Sequence, residues 1–103
     1  MENGALLSLL NTDWTTPGNI KNVVVHTPAV TFPVEVKEGH CTFILILEEC
    51  AVEYGEALHA ESFGAGGITF HGTGKHEITV HRADGDATKP VDFGDKTCRT
   101  VRL

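Results

Sequence analysis

Basic residues are scarce in this 103-residue chain: Lys and Arg number 8 against 14 Asp and Glu, for a formal net charge of −6. A surface with that balance repels phosphate, which argues against a nucleic-acid or anionic-membrane partner. Long apolar runs are missing too. No window approaches the roughly 20 apolar residues of a membrane span. The stretch Ala5–Leu10 has no basic segment before it, and Glu2 is acidic, so no signal peptide is recognised. The three cysteines, Cys41, Cys50 and Cys98, are odd in number and form no C-x-x-C pair, which argues against a closed disulfide framework. They read as thiols in a reducing compartment, with a Cys41–Cys98 or Cys50–Cys98 bridge left open for an exported protein.

Catalytic signatures are also missing. There is no G-x-S-x-G elbow, no H-E-x-x-H, no EF-hand spacing and no phosphate loop, since Gly64-Ala65-Gly66-Gly67 precedes a strand rather than a helix. His40 and Cys41 are chain neighbours on a strand, so their side chains diverge and cannot act as a pair. No catalytic residue, cofactor or metal ligand is therefore assigned.

What the chain does have is one two-sided apolar segment, Cys41–Leu47. A strand wet on one face alternates apolar and polar residues. Here Phe43, Leu45 and Leu47 point one way and Ile44 and Ile46 the other, so both faces need cover. Candidate covers are Leu6–Leu10, residues 55–62 or another chain.

The remaining chain reads as short strands at regular intervals. Residues 3–11 are the one plausible helix, capped by Asn3 with Leu6, Leu7 and Leu10 on one face; an arm docking on a neighbouring subunit is the alternative. Pro17-Gly18 signals a type II turn beside the lone Trp14. Strands follow at Ile20–Thr27 and Val30–Val36, the second with Val30, Phe32, Val34 and Val36 inward. Pro33 places it at an edge or a bulge. A turn at Lys37–His40, with Gly39 left-handed, pairs this strand antiparallel with the central one. Further strands are expected at Cys50–Tyr54, Ile68–His71, Lys75–His81 and Thr97–Leu103, while 55–62 is open between helix and strand. Gly72-Thr73-Gly74 reads as a hairpin turn, with Ile78 and Val80 inward and Glu77, Thr79 and His81 outward. The expected fold is all-β: one domain over 1–103, a small antiparallel β-sandwich or barrel of six to seven strands with a short N-terminal helix or arm.

Three weaker chemical readings remain. His71, His76 and His81 are evenly spaced but do not converge on one metal in a simple hairpin. Asp84, Asp86, Asp92 and Asp95 are acids of turn-rich segments. Trp14, Tyr54 and Phe63 are the candidates for stacking on a sugar.

Two short stretches resemble known families. Gly74–Gly85, with its Ile78-Thr79-Val80 strand and Asp84-Gly85 turn, resembles the late hairpin of immunoglobulin-like modules of phage and bacteria. Leu10-Asn11-Thr12-Asp13-Trp14-Thr15-Thr16-Pro17-Gly18 resembles the opening of phage tail-fibre and pyocin knob modules. The second resemblance implies a small β-rich, often trimeric, receptor-binding or virion-structural piece. The expectation is a non-catalytic structural or binding module acting through protein–protein contacts, as a phage or virion component. A homo-oligomer is expected, a trimer favoured, with Leu6, Leu7, Leu10, Trp14, Ile44 and Ile46 as interface candidates. The partner could also be a glycan or receptor; no nucleic acid or membrane insertion is expected, and the setting is virion or cytoplasmic. A small metal-binding β-barrel enzyme and a carbohydrate-binding module are the alternatives.

Overall fold

The computed structural model describes residues 4–13, 15–64 and 67–102. They form ten strands: β1 (Gly4–Leu10), β2 (Ile20–His26), β3 (Thr31–Lys37), β4 (Cys41–Leu47), β5 (Ala51–Gly55), β6 (His59–Gly64), β7 (Gly67–His71), β8 (Lys75–Arg82), β9 (Gly85–Asp92) and β10 (Cys98–Val101). A five-stranded sheet in the order β1-β4-β5-β8-β9 forms the middle layer; β10-β7-β6 and the β2-β3 hairpin are separate sheets. All the pairings are antiparallel. The architecture is all-β and sandwich-like, but with ten strands rather than six or seven.

The two-sided strand β4 decides this layering. Leu45 packs with Val52, Tyr54, Ile78, Val80 and Val91 of the middle sheet against Ile68, Phe70 and Val101 of the three-stranded sheet. Ile44 packs on the other face with Ala51, beneath Val25, Phe32, Val34 and Val36 of the hairpin. Neither face is left wet: Ile44 is 0% and Leu45 2% exposed. The cover for the second face is β2-β3, none of the three candidates read from the sequence.

Three further expectations change. The N-terminal helix is strand β1, whose seven residues pair in register with β4 from Gly4↔Leu47 to Leu10↔Cys41. Strand β3 does not pair with β4; it pairs with β2, and the Lys37–His40 turn carries the chain from the hairpin layer into the middle sheet. Gly72-Thr73-Gly74 likewise joins two sheets instead of closing a hairpin, because β7 pairs with β6 and β10 while β8 pairs with β5 and β9. Of the expected inward residues, Phe32, Val34, Val36, Ile78 and Val80 are buried, and Val30 is partly buried against the same core as Phe32. Gly18 and Gly39 take the positive φ values, 73° and 72°, that their turns require.

Gly67 closes the three-stranded sheet. Its φ is 132°, and a Cβ there would sit 2.2 Å from the Val101 carbonyl oxygen. Both strain and collision oppose any side chain. Gly67→Ala is expected to destabilise the protein by about 1–3 kcal/mol, read as a lower urea midpoint at unchanged slope.

Asn11 fixes the end of β1. It is 5% exposed, and its Nδ2 donates to Asn19 Oδ1 at 2.8 Å and to the Val36 carbonyl at 2.9 Å. Its Oδ1 accepts from the Asp13 amide at 3.0 Å. A buried amide with its donors and acceptor used is a rigid joint, and this one ties β1 to the hairpin layer.

Candidate functional site

Strand β1 has the sequence Gly-Ala-Leu-Leu-Ser-Leu-Leu, with no charge and no proline. It is an edge of the middle sheet: its partner is β4 on one side, and among the described residues no strand pairs with the other. The opposite edge, β9, reads Gly-Asp-Ala-Thr-Lys-Pro-Val-Asp. Charges and a proline on an edge discourage another strand from adding to it. β9 carries these guards and β1 does not.

Apolar side chains accompany this free edge. Leu6 stands opposite Leu45 across the ladder, yet Leu6 is 51% exposed where Leu45 is 2%. The cover given by the three-stranded sheet therefore stops between β4 and β1. Leu10 is 59% exposed on the same face. Leu7 and Leu9 turn to the opposite face and pack, partly buried, under the hairpin.

At the Leu10 end a groove of about 320 Å³ opens, walled by Leu9, Leu10, Val23 and Val36 and rimmed by Asp13 and Lys21. Lys21 Nζ lies 2.8 Å from Asp13 Oδ2. Hydrogen bonds from Lys21, then from the Thr15 side chain and backbone, hold the Asp13 carboxyl down at about 2. The rim is thus a fixed ion pair, while the walls are apolar.

The interface candidates read from the sequence divide accordingly. Leu6 and Leu10 are at the free edge, and Leu7 is on the strand but faces inward. Ile44 and Ile46 are covered by the chain's own hairpin. Trp14 lies outside the described residues.

The histidines are held apart. His76 Nε2 donates to the Thr73 carbonyl, 2.7 Å away, and its ring lies edge-on to Phe93. His71 is on the outer side of the three-stranded sheet, 2.7 Å from Glu61 Oε2. His81, expected to face solvent, is 5% exposed. The hairpin layer covers that face of β8, and Phe32 stacks on the imidazole at 3.8 Å between centroids and 10° between planes. Its Nε2 lies 2.9 Å from Glu53 Oε1 in a hydrogen bond. Its Nδ1 lies 2.9 Å from Asp86 Oδ1 but makes no aligned hydrogen bond; the distance describes an electrostatic contact, off the N–H direction. Glu53 and Glu56, without visible partners in the sequence, thus pair with His81 and His40. Tyr54 is buried against Phe43 and Phe70, which removes it as a sugar platform, and the Phe63 side chain lies outside the described residues. Asp84, Asp86, Asp92 and Asp95 are exposed at β9 and its flanking turns.

All three cysteines are free thiols. Cys50 is buried, and burial pushes its thiol up, so it is a core residue rather than a reactive one.

No protein-family model, curated protein or solved structure matches this chain.

Proposed function

We propose that this chain is a non-catalytic structural module that acts by protein–protein contact, pairing with a second copy of itself through β1. The observation that carries the proposal is an uncharged, unguarded edge strand flanked by exposed Leu6 and Leu10. Edge strands of that kind are templates for strand addition. A second copy suits the edge best, because Gly-Ala-Leu-Leu-Ser-Leu-Leu has no charge to clash with itself when two β1 strands run antiparallel about Leu7. Such a pair is isologous and closes on itself, so it yields a discrete assembly and not a fibre. Elsewhere the net charge of −6 opposes unspecific association.

The resemblance of Leu10–Gly18 to tail-fibre and knob modules supports placing the module among virion or other assembly components, and implies a trimer. The β1 edge supports a two-fold pair instead. Sedimentation equilibrium tests the reading. A dimer is expected at micromolar concentration, and Leu6→Lys with Leu10→Lys is expected to return the monomer mass and to melt like the parent protein diluted below its dimerisation range, since both side chains are already half exposed. A monomer at all concentrations would remove the proposal, and a trimer would favour the fibre-like arrangement.

A further inference from the structure

The outer face of the β10-β7-β6 sheet carries a second cluster, which pairing through β1 does not use. Cys98 stands directly across the β10–β7 ladder from His71. Residues directly opposed in a ladder project to the same face. On the other side of His71 the β6–β7 register slips between Ala60 and Ser62, leaving Glu61 as the extra residue of a bulge. Bulges re-aim a side chain, and this one brings Glu61 Oε2 to 2.7 Å from His71 Nε2 and 3.9 Å from Cys98 Sγ. One donor atom from each of the three residues lies within 4.8 Å of the others. A hydrogen bond between Thr69 and Thr100 Oγ1 atoms, at 2.9 Å, ties β7 to β10 one step along the same face.

We propose that Glu61, His71 and Cys98 bind a divalent transition metal of the zinc type. Thiolate, imidazole and carboxylate together are the donor set of a borderline-soft cation, and they select against Ca²⁺ and Mg²⁺, which take oxygen alone. Small side-chain movements bring the spacing to that of a tetrahedral ion. Bond lengths of about 2.0–2.3 Å to N, O and S place neighbouring ligands about 3.3–3.7 Å apart; the Glu61–His71 contact, at 2.7 Å, is shorter than that and the Glu61–Cys98 one, at 3.9 Å, is longer. Opening the Glu61–His71 contact and closing the Glu61–Cys98 one are side-chain adjustments at exposed residues. Three protein ligands leave one position open, and His59 stands opposite His71 across the β6–β7 ladder, on the same face. Metal binding displaces the Cys98 thiol proton to solvent and joins the three strands of this sheet through one ion.

Cobalt titration of the full chain, purified under reducing conditions without chelator, tests the site. Binding of one Co²⁺ per chain is expected, with a near-ultraviolet thiolate-to-cobalt charge-transfer band and visible bands of tetrahedral cobalt, all abolished by added Zn²⁺. Cys98→Ser is expected to lose the charge-transfer band, and His71→Ala to weaken binding on the order of tenfold or more. Cys41→Ser is expected to keep both. All three variants change residues outside the two cores, and a cooperative melt verifies that each is folded. Absence of the charge-transfer band in the parent protein, or its survival in folded Cys98→Ser, would overturn the proposal.

Discussion

Truncation of either Ile44 or Leu45 to alanine is expected to destabilise the protein by about 2–5 kcal/mol. The two residues are chain neighbours on β4 and point to opposite faces. In an ordinary one-cored sandwich, one of two such neighbours is half wet, and its truncation is nearly neutral. Here Ile44 is 0% exposed among Val25, Phe32, Val34 and Val36, and Leu45 is 2% exposed among Val52, Val80, Ile68 and Phe70. Each truncation leaves a cavity in a separate core, so neither is spared. Domains are stable by about 5–15 kcal/mol in total, so the double variant is expected to be largely unfolded at 25 °C. Urea denaturation followed by far-ultraviolet circular dichroism measures the singles. Near-neutrality of one of them would show that its face is not covered as described.

The second large effect concerns His81. Replacing it with leucine is expected to cost about 2–3 kcal/mol, less than the 3–5 kcal/mol of breaking a fully buried pair, because the Glu53 side chain keeps 28% of its surface. The cost has a specific source: Glu53 stays beneath the hairpin layer with its hydrogen-bond partner gone. The apolar ring contact with Phe32 is replaced by leucine and contributes little to the difference. Replacing Glu53 as well, with leucine, is expected to recover most of the lost stability, since a pair exchanged for apolar groups of similar volume is often neutral. A double-mutant cycle on His81 and Glu53 separates the pair from the packing. Equal and additive losses from the two single variants would contradict this account.

What could be read from the sequence followed local periodicity. The alternation of Phe32, Val34 and Val36, the inward pair Ile78 and Val80, and the two-faced run Phe43–Leu47 each carry their burial in their own spacing. β1 did not, because Leu6, Leu7 and Leu10 satisfy a helical spacing as well as a strand's, and the pairing partner that decides between them lies more than thirty residues away. β9 was hidden for a different reason. Most of its residues are exposed, so no apolar alternation marks it, and its acids read as turn residues. Contacts between layers were out of reach as well. His81 alternates as an outward residue of β8, and only the β2-β3 hairpin folding over that face buries it. Glu61 reaches His71 through a register slip, and Cys98 through a strand pairing, neither of which has a motif. The free edge at β1 was not legible, because the same leucine-rich stretch reads as a helix or a docking arm.

Hydrogen exchange along β1, followed amide by amide as a function of protein concentration, tests the central proposal most directly. In a strand paired on one side, alternate amides point away from the partner and remain free to exchange. The account predicts that the outward amides within Ala5–Leu10 exchange rapidly in dilute protein and become protected at the concentration where the dimer forms, while those of β9 stay fast. Outward β1 amides that exchange equally fast at every concentration, with the protein demonstrably associated, would contradict it.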